Sequence, residues 1–210
     1  MGDYNRKLTQ PELKRKEKFE SVCTYLEQQG YMKHDLTVDV ATASKMALVV
    51  MLPFVSIAVA VYFISVGKQG LNFQFVDLLW FLLATIASVV LHELLHGVTW
   101  AMFSRSFRPI SFGVIWSALT PYCTCSKPLK KWQYIVGALV PTIVLGVGLT
   151  VLSVLTAKMW IVLLNVTMII GGGGDFYMVL KMLKCKFDGE VLYYDHPYEC
   201  GVVAFVRNKQ

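Results

Sequence analysis

The sequence predicts an all-α polytopic membrane protein with about four transmembrane helices. Of its 210 residues, 55% are hydrophobic and only 16% are charged, which is too apolar for an ordinary soluble domain. Four apolar runs approach or exceed the roughly 20 residues that a helix needs to cross about 30 Å of hydrocarbon. They predict a membrane domain over residues 45–183, with spans at 45–66, 76–103, 134–157 and 160–183.

Positive charge is unequally distributed between the two ends of these spans. Of the 20 Lys and Arg residues, eighteen lie in or next to the terminal segments and the loop between spans two and three. Only Lys68 and Lys158 lie in the two remaining loops. Because positively charged loops stay in the cytoplasm, we expect an integral protein of the cell membrane with both termini cytoplasmic. The net charge of +6 then faces anionic lipid, and it requires no nucleic-acid partner.

Residues 1–44 form a cytoplasmic N-terminal segment in this interpretation. Thr9 can cap a helix and Pro11 can occupy its first turn, and the apolar residues that follow fall on one stripe. An amphipathic helix that ends near Gly30 is therefore expected. Residues 34–40, HDLTVDV, alternate briefly between polar and apolar side chains and favour a short strand.

The segment between spans two and three is too broken for a spanning helix. Residues 106–132 contain three prolines and a glycine between β-branched and aromatic residues, so one or two short strands or a re-entrant loop are expected. Residues 184–210 are predicted to be a cytoplasmic tail. The five cysteines all fall on the predicted cytoplasmic side, where disulfides are rare, and are expected as reduced thiols.

The second span carries the motif HELLH, with His92, Glu93 and His96 inside an otherwise apolar run. Residues four apart share a helix face, so the two imidazoles can reach one ion while Glu93 meets a water bound to it. Neutral imidazoles suit Zn²⁺, and a catalytic zinc site takes three protein ligands and keeps a fourth position for water. Glu93 is therefore expected as the general base rather than as a ligand. Three ionisable groups within a span are costly unless they pair or coordinate, which favours a metal site.

A third ligand is expected at the same depth on another span. His92 lies 16 residues after Val76 and Asp175 lies 15 residues after Trp160, so at about 1.5 Å per residue the two reach similar depths. Asp175 follows four glycines, residues 171–174. They either let a neighbouring helix approach closely or break the helix to aim the carboxylate. Asp175 is therefore the preferred third ligand.

Two other groups of side chains compete for this role. His196 lies in a proline-containing turn of the predicted tail, and Cys123 and Cys125 form a CTC pair. This pair is an alternative metal or redox site, although it lacks the two-residue spacer of the usual zinc and thioredoxin motifs.

These motifs together resemble known membrane metalloproteases. An HExxH helix, one intervening span and a span with a single Asp are similar to the core of the site-2 protease class of intramembrane zinc metalloproteases. HELLHG, GALVP and GGGGD, in this order over roughly residues 88–180, more closely resemble a compact, mainly bacterial family of zincin membrane peptidases. The site-2 class usually has Asn-Pro before a Leu-Asp-Gly ligand motif, whereas this chain has Asn165 without a following Pro and GDF around Asp175. The ligand role of Asp175 therefore carries over by position and charge more than by motif.

The resemblance implies a zinc-dependent intramembrane metallopeptidase whose substrate is a membrane-embedded or juxtamembrane protein or peptide, cut near the cytoplasmic leaflet. Zn²⁺ would polarise the scissile carbonyl and the bound water, and Glu93 would transfer the proton. Asn165 is a candidate for holding the substrate backbone, provided that the glycines distort the helix. A strand within residues 107–124 could present an edge to an unwound substrate.

Two functions of other classes would use the same residues. A divalent-metal transporter or channel would use them as a transit site, since intramembrane ionisable groups mark ion paths as readily as catalytic sites. However, a transporter has no need of Glu93 as a base, and no second acidic or histidine site lines the other predicted spans. The third interpretation is a catalytically silent membrane scaffold that keeps zinc for stability. It predicts that Glu93→Gln changes no phenotype.

Overall fold

The computed structural model of the chain describes residues 9–115 and 120–208. Most of these residues are helical, and four helical stretches are long and apolar enough to cross a membrane, in agreement with the predicted polytopic helical protein. Parts of the predicted N-terminal segment, central strands and tail, at residues 1–8, 116–119 and 209–210, lie outside the described residues. In chain order the elements are α1 (Gln10–Gln28), β1 (Met32–Asp35), α2 (Val40–Val66), a 3₁₀ turn (Gly67–Leu71), α3 (Phe75–Ser104), β2 (Ile110–Ile115), β3 (Thr120–Cys125), β4 (Leu129–Lys130), α4 (Lys131–Thr156), α5 (Met159–Gly171), α6 (Gly173–Lys184), β5 (Glu190–Asp195) and β6 (Val202–Arg207).

The first span begins earlier than predicted. Helix α2 begins at Val40 instead of residue 45, because Asp39 caps it: the Asp39 Oδ1 accepts a hydrogen bond from the Thr42 N–H at 2.9 Å. The strand expected at residues 34–40 is accordingly shorter and lies earlier in the chain, as β1. The second span agrees closely, since α3 exceeds the predicted range by one residue at each end. The third, α4, begins three residues before the predicted start.

The fourth predicted span consists of two helices. Helix α5 ends at Gly171 and α6 begins at Gly173, so the run predicted at residues 160–183 is interrupted at Gly172. The interruption is local, because the Phe176 N–H still donates to the Gly172 carbonyl at 3.1 Å. This break lies directly before the acidic residue of the span.

The predicted tail forms a hairpin, so the fold is mainly helical but not all-α. Strands β5 and β6 pair antiparallel, and a four-stranded sheet has the order β1–β6–β5–β4. Residues Val202 to Val206 are buried without alternation. One face of the sheet packs on α1 and the other packs on α6 and the neighbouring helix ends. A strand that is covered on both faces shows no period-two pattern, so the alternation that reveals a half-exposed strand is absent from residues 202–206.

A second sheet consists of the hairpin β2–β3, within the segment for which short strands or a re-entrant loop were expected. It packs closely on α3, because a Cβ on Gly97 would collide with the Phe112 ring. Helix α1 holds the hairpin from another side. The Arg15 guanidinium lies over the Tyr122 ring, 4.6 Å from its centroid, and hydrogen-bonds the Tyr122 hydroxyl. Its Nε also donates to the Pro197 carbonyl at 2.8 Å, so α1 links the two hairpins.

Candidate metal centre

Three side chains that could hold a metal ion converge where α3 meets α6. His92 and His96 lie one turn apart on α3, and Asp175 lies in the first turn of α6. The two Nε2 atoms are 3.1 Å apart, and each lies 3.4 Å from Oδ2 of Asp175. The structure thus brings together the three residues that the sequence analysis chose as metal ligands.

The spacing of these atoms fits tetrahedral zinc. Zinc bonds of about 2.0–2.1 Å at tetrahedral angles place two ligand atoms about 3.3 Å apart. The donor set also fits, because two imidazoles and one carboxylate form a known catalytic zinc site with a fourth position for water. A cation would neutralise the Asp175 carboxylate. It would also explain why the two Nε2 atoms lie 3.1 Å apart, because two nitrogens that both carry lone pairs cannot hydrogen-bond each other. The residues present therefore fit zinc.

The backbone of α4 fixes the tautomer of His96. The His96 Nδ1 donates to the Gly137 carbonyl at 2.8 Å, which leaves the Nε2 lone pair free to bind a metal. The Trp100 ring stacks on the His96 ring, with centroids 5.1 Å apart and planes 19° apart, and a Cβ on Gly137 would collide with the indole. The glycine that opens the GALVP motif therefore permits the close approach that orients His96.

Glu93 lies beside the three-residue group and is half-buried. Its carboxylate interacts electrostatically with the side chains of the group and accepts a hydrogen bond from the backbone N–H of Cys123. Strand β3 therefore holds the side chain that we expect to act as the general base. Glu93 is not among the three atoms that converge, in keeping with a role other than ligand.

The group is most accessible from the α6 side. The exposed fraction of the side chain falls from 34% for Asp175 to 11% for His92 and 4% for His96. Helices α3 and α4 enclose the histidines, whereas the side chain of Asp175 is partly exposed. Water and a substrate carbonyl would therefore approach from the side of Asp175.

The glycine run before Asp175 combines an interruption of the helix with close packing. Gly172 is the residue at the break. A Cβ on Gly173 would lie 2.7 Å from the Cβ of Ala47 on α2 and 2.9 Å from the Ala47 backbone, whereas a Cβ on Gly171 would meet nothing within 4 Å. The absence of a side chain at Gly173 therefore lets α6 pack closely on α2, two residues before Asp175.

We expect Gly173→Ala to lower the free energy of unfolding by about 1–3 kcal/mol, because the added methyl group overpacks against a backbone that cannot move cheaply. Gly171→Ala is the matched control, and we expect it to be neutral or to stabilise by up to about 1 kcal/mol. Equilibrium unfolding in mixed detergent micelles, followed by circular dichroism, measures both changes. Equal stabilities of the two variants would contradict the close contact between α2 and α6.

Two other candidate residues lie apart from the three-residue group. The Asn165 Nδ2 donates to the Thr150 Oγ1 at 2.7 Å, which links α5 to α4. The His196 ring packs against Phe19, and its Nδ1 accepts the Glu199 N–H at 2.9 Å. Within the described part of the chain, neither side chain joins the ligand atoms that converge.

The CTC pair contributes backbone groups to the neighbourhood of the site. The Cys123 N–H holds Glu93, and the Cys125 N–H donates to the Asp195 Oδ2 at 2.7 Å. Burial raises the pKa of both thiols, that of Cys125 to about 12, so both are protonated at neutral pH. Neither thiol joins the group of three ligands among the described residues.

Asp195, a buried carboxylate at the end of β5, is not among the residues predicted from the sequence. Besides the Cys125 N–H, it accepts a hydrogen bond from the Tyr134 hydroxyl on α4. Burial raises the pKa of Asp195 to about 6, although both hydrogen bonds act in the opposite direction. The only signal in the sequence is an acidic residue that ends an apolar run.

Comparison with known families identifies the region that carries this site. Residues 85–188 match the model of the family DUF3267, which is described as "Putative zincin peptidase". The match includes Glu93 and all three residues of the metal-binding group, and the zincin description implies zinc as the metal. No curated protein and no solved structure matches the chain. Residues 85–188, just under half of the chain, are therefore similar to the DUF3267 family.

Proposed function

We propose that the chain is a zinc-dependent intramembrane metallopeptidase that hydrolyses a peptide bond of a membrane-embedded or juxtamembrane protein or peptide. The observation that carries this proposal is a carboxylate, that of Glu93, beside three ligand atoms whose spacing fits zinc. A structural zinc site usually takes four protein ligands and leaves no position for water. Three ligands and an adjacent base favour catalysis.

The residues of the chain have separate tasks in this reaction. His92, His96 and Asp175 would hold the zinc, which would supply Lewis-acid chemistry to the attacking water and the scissile carbonyl. The Glu93 carboxylate takes a proton from the attacking water and delivers it to the leaving amine nitrogen. The Cys123 N–H holds that carboxylate in place, and the Gly137 carbonyl keeps His96 in the tautomer that can bind metal.

The site lies in the half of α3 that is nearer to the C-terminal end of this helix. His92 lies twelve residues before the end of α3 and seventeen after its start, which correspond to about 18 Å and 26 Å. The nearer end carries most of the positive charge and both sheets. We therefore assign this end to the cytoplasm, in a protein of the cell membrane, so that water enters the site from the cytoplasmic side.

Hairpin β2–β3 offers a way to hold an unwound substrate. A peptide bond within a helix hides its carbonyl from attack, so the substrate must become extended before cleavage. Within the described residues, β2 and β3 pair only with each other. The N–H groups of Cys123 and Cys125 on β3 already have partners, so the outer edge of β2 is the one that another strand could join. The hairpin packs on α3, so a substrate that joins it would lie near the metal-binding group.

New chain termini provide the test of this function. Purified protein, loaded with zinc or treated with a chelator, would be incubated with solubilised host membranes, and mass spectrometry would identify the termini that appear. We expect termini within or beside apolar segments of membrane proteins, which appear with zinc and disappear with the chelator. A zinc-loaded protein that produces no new termini would contradict the proposal.

A further inference from the structure

The C-terminal hairpin contacts the surroundings of the metal-binding group through one buried carboxylate. Asp195 is 9% exposed, and its two oxygens have different partners. The Oδ1 accepts a hydrogen bond from the Tyr134 hydroxyl, and the Oδ2 accepts one from the Cys125 N–H at 2.7 Å. A single side chain thus joins the first turn of α4 to the end of β3.

Each of these partners lies next to a residue that acts on the site. Tyr134 lies three residues before Gly137, whose carbonyl accepts the hydrogen bond from His96. The Tyr134 carbonyl also accepts the indole N–H of Trp100 at 3.4 Å, and that indole stacks on His96. The first turn of α4 therefore sets the position of one ligand.

The second partner of Asp195, the Cys125 N–H, lies near the proposed general base, Glu93. Cys125 lies two residues after Cys123 on β3, and the Cys123 N–H holds the Glu93 carboxylate. Strand β5 also pairs with β4, which lies between β3 and α4 in the chain. The C-terminal hairpin therefore contacts the segment from β3 to α4 at both of its ends and in its middle.

We propose that Asp195 is a positioning residue of the metal centre, which fixes β3 and the first turn of α4 relative to each other. Through β3 it places Glu93, and through α4 it places His96. The inference rests on the proposed function. It extends the site to the C-terminal hairpin, which lies beyond the residues that match the family.

Metal binding by three full-length variants tests this inference. In Asp195→Asn, an amide NH₂ group or a weaker acceptor faces the Tyr134 hydroxyl and the Cys125 N–H, which both donate to the carboxylate in the wild type. Tyr134→Phe removes only the hydrogen bond from the hydroxyl. Glu190→Gln is the matched control, because Glu190 begins the same strand and is exposed, and it interacts with Arg207, at 2.6 Å, and with Tyr31, neither of which belongs to the metal-binding group. The affinity for zinc would be measured by competition with a chromogenic chelator. The visible spectrum of the cobalt(II)-loaded protein would report the ligand geometry.

We expect Asp195→Asn to weaken zinc binding by about 10-fold or more and to change the cobalt spectrum, as when a group that orients a metal ligand is lost. Tyr134→Phe should change both in the same direction, and Glu190→Gln should change neither. The double variant should match Asp195→Asn, because the Tyr134 hydroxyl acts through the same carboxylate. A loss of stability alone would leave the spectrum of the folded protein unchanged.

The outcomes separate this inference from the proposed function. If the wild type binds zinc and Asp195→Asn keeps its affinity and spectrum, the positioning role is wrong and the zinc site stands. If the wild type binds no zinc, the proposed function and the positioning role are both overturned. If Asp195→Asn does not fold, Tyr134→Phe decides by the same criterion, because Phe keeps the aromatic packing of Tyr134.

Discussion

We expect Glu93→Gln to slow peptide-bond cleavage by about 10²- to 10⁴-fold and to leave zinc bound. Glutamine keeps the size of the side chain, and its carbonyl oxygen can still accept the Cys123 N–H, but it cannot take a proton from water. The measurement is the initial rate at which the termini identified with the wild type appear. Zinc content is determined on the same preparation by mass spectrometry.

The matched control for this experiment is Glu190→Gln, which makes the same chemical change at an exposed position of β5. We expect it to cleave at the wild-type rate. A Glu93→Gln variant that also cleaves at that rate would exclude Glu93 as the base. If zinc uptake by proteoliposomes depends on the ligands and not on Glu93, the same variants favour a transporter. A silent scaffold predicts no cleavage by any variant, including the wild type.

Much of the three-residue group could be predicted because its signals are local. His92 and His96 are four residues apart on one helix, so their side chains share a face whatever the tertiary structure. Asp175 required one further step, a count of residues from the ends of two spans. This count works in a membrane protein because the bilayer fixes the depth at which each helix begins.

The groups that support the ligands could not be predicted in the same way. The Gly137 carbonyl is a backbone atom, and every residue has one, so the sequence does not show which carbonyl faces His96. Asp195 is 61 residues from its partner Tyr134, and neither residue belongs to a motif. The buried strand β6 also lacks the alternation that reveals a half-exposed strand. These features depend on how distant segments pack, and local patterns do not record that packing.

The break at Gly172 was one of two alternatives that the glycine run allowed, and the structure combines both. Gly172 interrupts the helix, and Gly173 brings α6 against α2. A run of glycines indicates that the backbone is either bent or closely approached, but the residue type is the same in both cases. The contact of Gly173 with Ala47 and that of Gly172 with Thr142 depend on the three-dimensional structure.

We expect Asp175→Ala to abolish stoichiometric zinc binding. The loss of zinc affinity should exceed the loss of about 10- to 100-fold that follows removal of a hydrogen bond to a metal ligand. The variant removes one of three protein ligands and leaves two imidazoles whose Nε2 atoms are 3.1 Å apart. Asp188→Ala, at an exposed acidic residue after α6, is the control and should retain the metal. The zinc content per chain gives the stoichiometry, and chelator competition gives the affinity for zinc. If zinc stays bound to Asp175→Ala with unchanged affinity, another side chain is the third ligand. Cys123 is then the first to change, because its backbone already contacts Glu93.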